Sequence, residues 1–192
     1  MRIARTEHPS GSRGPRPRRG SSILLAGLVL GVILAATWLP SALATRSALD
    51  DQLQAVKAAT ARYHSFEQAQ KDGYTVAGEP CVASPLGVMG IHAINPALAA
   101  DSTVDALRPE LLLYAPRSNG KLELIGLEYF KADADQNLAT DGDRPSLFGR
   151  PFDGPMPGHN PVMPVHFDMH VWLYADNPSG LFAPFNPAVS CG

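Results

Sequence analysis

The chain has 192 residues, 45% hydrophobic, 18% charged and 7% aromatic, with a formal net charge of -2. This length suits one ordinary domain, the apolar content excludes a wholly disordered chain, and the charge balance excludes a general nucleic-acid binder. The average hides two unlike parts: residues 1–44 carry six arginines and one acid for a net of +5, whereas the remainder carries 10 basic and 17 acidic residues for a net of -7.

The basic leader runs into an unbroken apolar stretch, residues 23–39, followed by Pro40 and the tract Ser41-Ala42-Leu43-Ala44. A basic start, an apolar middle and an Ala-x-Ala ending are the layout of a secretory signal peptide. Cleavage after Ala44 leaves an exported domain of residues 45–192. The alternative is an uncleaved signal anchor, since the run approaches the roughly 20 residues that span a bilayer. In either case the arginines precede the run and the acidic domain follows it, so the domain is expected outside the cytoplasm. Membrane association is expected only through an uncleaved leader.

Ser47-Ala-Leu-Asp50 fits a helix start, and Leu49, Leu53, Val56, Tyr63 and Phe66 recur at helical spacing. Gly73, after Lys71-Asp72, marks the end. These signals predict one amphipathic helix over about 47–72 with its apolar stripe on a sheet. From Tyr74 the pattern changes to short apolar runs, and 14 of the 18 prolines lie beyond residue 44, against further long helices. Residues 111–114 and 122–130 read as strands joined by the hairpin signal Asn119-Gly120. Residues 132–163 are expected to form a long ordered loop, and residues 165–174 a third strand. The predicted class is α+β: one N-terminal amphipathic helix packed on a mainly antiparallel sheet, with long Pro/Gly-rich loops.

Both cysteines, Cys81 and Cys191, lie in the exported part. An even count outside the cytoplasm predicts one disulfide, which would pin the C-terminal tail.

Several motifs, namely Gly87-Val-Met-Gly-Ile-His92, Gly126-Leu-Glu-Tyr129, His170-Val-Trp172 and Asn186-Pro-Ala-Val-Ser-Cys191, together resemble those of a group of exported bacterial proteins. The resemblance covers most of the chain after residue 60. It implies export and no particular reaction, because that group has no established activity.

The segment His166-Phe-Asp-Met-His170 is the richest in chemistry. Pro164 before it and the β-branched and aromatic residues around it favour a strand. There Val165, Phe167, Met169, Val171 and Leu173 form a core face, and His166, Asp168, His170 and Trp172 the other. Residues four apart on a strand are roughly 13 Å apart, so His166 and His170 are not expected to share a metal unaided. A site would combine one histidine with ligands from neighbouring strands. Glu128 stands on a strand face read as carrying Leu122, Leu124 and Gly126; an apolar face demands a partner for a carboxylate, and Gly126 is expected to leave space for something to approach. His92 closes the segment Gly87-Val-Met-Gly-Ile-His92, where the glycines allow tight backbone turns. His92, Glu128 and His170 would give two imidazoles and one carboxylate, a set suited to iron, zinc or copper with positions left open. His166, Asp168 and Met89 are possible additions, with soft sulfur favouring cuprous copper. His159 and His166 are expected at the surface or in loops, and His64 at the edge of the helix.

Asp133, Asp135, Asn137 and Asp141 space like a calcium loop, but Leu138 replaces the required glycine and Arg144 the final glutamate. A solvated acidic loop with Asx turns is the expectation there. The acidic domain makes small cations or metal ions favourable partners and nucleic acid a poor one. Three readings remain open: an exported transition-metal-binding protein, a metal-dependent enzyme using the same trio, or a structural domain of the cell envelope.

Overall fold

Helix α1 (Leu39–Thr60) begins the described fold and is followed by a single 3-10 turn (Ala61–His64) and the short helix α2 (Phe66–Lys71). The computed structural model describes residue 14 and residues 39–76, 81–159 and 162–192. The expected export leader thus lies mostly outside the described residues. Among the described residues no helix is long and apolar enough to cross a membrane.

The continuous helix expected over about 47–72 is therefore three pieces, and it starts earlier than Ser47. The break has local causes. Thr60 Oγ1 donates to Val56 O at 2.8 Å and contacts Tyr174 OH at 2.8 Å, which draws the helix end onto the C-terminal part of the chain. Ser65 is extended and caps α2, its Oγ accepting from Gln68 N at 3.2 Å. Gly73, at φ +96, closes α2 as expected, with Tyr74 N donating to Ala69 O at 2.9 Å.

Nine strands follow: β1 (Thr75–Val76), β2 (Val82–Ser84), β3 (Gly87–Ile94), β4 (Leu111–Pro116), β5 (Leu122–Ala132), β6 (Ser146–Leu147), β7 (Arg150–Pro151), β8 (Asp153–Met156) and β9 (His166–Val171). A one-turn helix, α3 (Pro96–Ala99), follows β3, with Asn95 Oδ1 capping the Ala97 and Leu98 amides. Seven strands form one sheet in the order β1-β3-β4-β5-β9-β8, with β2 also on β3, and every pairing is antiparallel. The α+β class is as the sequence predicts.

Two elements differ from the sequence reading. The glycine-containing segment at 87–94 is a full sheet strand rather than a turn. Gly90, at φ +105, lets β3 approach β4 so closely that a Cβ would stand 2.8 Å from Tyr114 O. The stretch 132–163, read as loop, carries the β6–β7 hairpin and strand β8, which pairs with β9.

The main core lies between the helical segment and one face of the sheet. Val56, Tyr63 and Ala69 pack with Leu112, Tyr114, Leu124, Leu127, Tyr129, Phe167, Met169 and Val171. Tyrosines in this layer are satisfied as well as buried: Tyr114 OH donates to Tyr63 O at 2.7 Å and Tyr74 OH to Pro109 O at 2.6 Å. On the other face, Leu113, Ile125 and Trp172 form a small second cluster.

Cys81 and Cys191 are bonded, with a Cα separation of 5.7 Å across 110 positions. Closing so long a loop stabilises the fold by roughly 4 to 5 kcal/mol in the chain-entropy model. Asn186 adds a two-way backbone pairing with Val88, so the tail is pinned at two points.

Candidate metal centre

Sheet register builds the site. Ile94, Leu111, Glu128 and His170 form one row across β3, β4, β5 and β9, and His92, Leu113 and Gly126 form the next row on the same face. A β-bulge fixes which face Glu128 occupies. Leu113 pairs with Gly126 but Tyr114 with Leu124, so Ile125 is an extra residue in β5. Leu122 and Leu124 accordingly pack into the helix-side core with Leu127 and Tyr129. Glu128 therefore does not share a face with Leu122 and Leu124, contrary to the unbroken alternation read from the sequence. It faces away from the helix, beside His170.

The three proposed ligands meet there. His92 Nε2 lies 3.0 Å from Glu128 Oε2, and His170 Nε2 lies 3.7 Å from the same oxygen. Donor atoms of all three fall within 4.8 Å of one another, forming a buried group able to hold a metal ion. A metal at roughly 2.0 to 2.2 Å from three donors requires donor separations of about 3 to 4 Å, so only a small inward adjustment is needed. Among the described residues no other such group occurs.

Burial makes this set costly without an occupant. His92, Glu128 and His170 are 7%, 2% and 1% exposed. Glu128 Oε2 and both ring nitrogens of His170 are buried without an aligned hydrogen-bond partner. Each such atom carries a desolvation cost of about 1 to 3 kcal/mol, more when charged. His92 Nε2 stands in close contact with Glu128 Oε2.

The electrostatics favour a ligand-competent state. Burial alone would raise the Glu128 carboxyl, yet His92 and His170 beside it prevail and hold it below the usual carboxylate range. Burial lowers His170, so its imidazole is neutral at neutral pH. Anionic carboxylate and neutral imidazole are the forms that bind metal.

Asp168, an expected extra ligand, is instead a neighbour of the ligand set. Its Oδ1 lies 3.9 Å from His170 Nδ1 and its Oδ2 lies 3.9 Å from His166 Nε2. It stands on the far side of His170 from Glu128, where a carboxylate orients a metal-bound imidazole. Burial, then the charges of Glu128 and Asp153, push its carboxyl up to about 8.

His166 is fully buried, correcting the surface position expected for it, and it stacks on Phe130 with ring centroids 5.0 Å apart. As the strand spacing predicts, it stays outside the ligand group. Met89 does not line the cavity beside that group. Gly126 was expected to leave room for an approaching group. The space is taken by β9 and Trp172, since a Cβ there would meet Val171 O at 3.0 Å and the indole at 3.4 Å.

The acidic loop is organised by its own backbone. Asn137 N donates to Asp133 Oδ2 and to Asp135 Oδ1, both at 3.0 Å, while Thr140 holds Asp135 and Arg144 holds Asp141. These are Asx turns and ion pairs. Asp133, Asp135, Asn137 and Asp141 do not converge as a calcium cage.

A cavity of about 520 Å³ opens against the site. His92 and Glu128 form its polar wall, and Ile94, Leu111, Phe130 and Met163 are among its apolar lining. His159, exposed as expected, stands at it too, with its ring 5.9 Å from that of His166. The sequence held no signal for this cavity, because its lining comes from four stretches of the chain, residues 92–100, 111, 128–132 and 159–164.

Comparison with protein-family models, with curated proteins and with solved structures gives no match. The disulfide points to an oxidising, extracytoplasmic compartment.

Proposed function

We propose that this protein binds one divalent transition-metal ion through His92 Nε2, Glu128 Oε2 and His170 Nε2, with Asp168 orienting His170. The supporting observation is the convergence of three buried donor groups, of which Glu128 Oε2 and His170 Nε2 have no aligned hydrogen-bond partner. A dication would satisfy Glu128 and His170 Nε2 together. His170 Nδ1–H would then point toward Asp168, whose raised carboxyl would fall in the field of the ion.

Two imidazoles and one carboxylate suit zinc and ferrous iron. Cuprous copper loses its argument, since Met169 packs in the helix-side core and Met89 does not line the cavity. The protein acts in an extracytoplasmic compartment, delivered by the leader of residues 1–44.

The test is elemental analysis of protein purified without a chelating tag, before and after reconstitution with zinc or ferrous iron. One equivalent of metal is expected, and its loss in His170→Ala. Sub-stoichiometric metal after reconstitution would sink the reading.

An enzymatic role is favoured by one observation. The cavity reaches His92 and Glu128 directly, so coordination positions not filled by protein would face a space large enough for a substrate.

A further inference from the structure

We infer that the cavity beside the metal centre takes a small monoanionic molecule with an apolar body, its head on the metal and its body against the wall formed by Ile94, Leu111 and Phe130. The inference rests on the metal reading above and names the ligand class of the same site.

Charge, shape and lining each constrain the occupant. A dication with one carboxylate and two neutral imidazoles leaves a net +1 in a buried site. One anionic head neutralises it, whereas a dianion would leave an uncompensated charge away from water. A carboxylate head can occupy one or two open positions on the metal.

Beyond the head the walls offer little to a polar body. Of the 13 described lining residues, only His92, Glu128 and His159 carry polar side chains. Sugars, nucleotides and peptides would therefore bury hydroxyls or amides without partners, which sites of this kind reject strongly. The volume, about 520 Å³, lies within the roughly 300 to 1,000 Å³ usual for small-molecule sites. Phe130 supplies a large flat apolar surface and is held in place by its stacking on His166. An aromatic or branched aliphatic monocarboxylate meets all of these demands.

The experiment uses the purified full chain loaded with cobalt(II), with 2-naphthoate as probe and 2-naphthamide as the uncharged isostere. Naphthoate is expected to shift the visible cobalt bands on binding and to bind metal-loaded protein at least about tenfold tighter than apo protein. Naphthamide is expected to bind at least about tenfold more weakly than naphthoate. Ala99→Phe, which narrows the cavity away from the ligand trio, is expected to keep one equivalent of cobalt and lose naphthoate.

Naphthoate binding that leaves the cobalt bands unmoved, or that is equal in apo protein, would overturn the inference. So would cobalt loading at one equivalent with no naphthoate binding. Absence of cobalt binding would instead overturn the metal centre itself, so the two failures are distinguishable.

Discussion

The two faces of the central sheet are built from the same strands yet solve opposite problems. The helix-side face buries Leu112, Leu127, Phe167 and Val171, and its tyrosine hydroxyls find backbone carbonyls. The other face buries Glu128, His166, Asp168 and His170, and atoms of all four lack aligned hydrogen-bond partners. Along β9 the two chemistries alternate residue by residue. Apolar packing alone is complete on the first face. On the second face these atoms find no aligned partner among the described residues, and its His92, Glu128 and His170 form a group that could hold a metal ion.

Substitutions on the two faces should therefore have separable effects. The largest is expected for Glu128→Ala, which removes the shared carboxylate. Zinc affinity measured by chelator competition should fall at least about 1,000-fold, roughly 4 kcal/mol. A fall in apo stability with unchanged zinc affinity would instead indicate a purely structural carboxylate.

Leu127→Ala, one position away on the opposite face, should show the converse. Denaturant unfolding is expected to reveal a loss of about 2 to 5 kcal/mol. Metal stoichiometry at low temperature should remain at one.

Glu110, which is not one of the three ligands, gives a pH signature of its own. It is 1% exposed, and burial, partly offset by a hydrogen bond from Phe130 N, pushes its carboxyl up to about 7. The folded state then holds this proton more tightly than the unfolded state does. The contribution is fully present below the ordinary value near 4.5 and is lost as pH rises to about 7. The loss is on the order of 3 kcal/mol. Glu110→Gln should flatten that slope in denaturant titrations taken across the window, and an unchanged slope would assign it elsewhere.

The smallest of these effects is expected for Asp168→Asn, which leaves all three ligands in place. Zinc affinity should fall about 10- to 100-fold, the usual range for a group that orients a metal-bound histidine. An unchanged affinity would remove Asp168 from that role.

Part of this arrangement was legible in the residues. Strict alternation through β9 assigned Phe167, Met169 and Val171 to the core and His166, Asp168 and His170 to the opposite face. The type of each ligand, and the need of Glu128 for a partner, also followed from composition and position. The bulge at Ile125 did not, because an inserted residue leaves apolar spacing in β5 looking regular while it exchanges the two faces. Strand β3 was obscured by Gly87 and Gly90, which signal turns locally and are required here by close backbone approach. The burial of His166 depends on Phe130, 36 positions away, and so had no local signature.

The central claim is tested most directly by anomalous diffraction from a crystal of the reconstituted zinc form, recorded at the zinc absorption edge. One ion is expected at roughly 2.0 to 2.2 Å from His92 Nε2, Glu128 Oε2 and His170 Nε2, open on the side of the cavity. Empty density at that point, or an ion held only elsewhere on the chain, would contradict it.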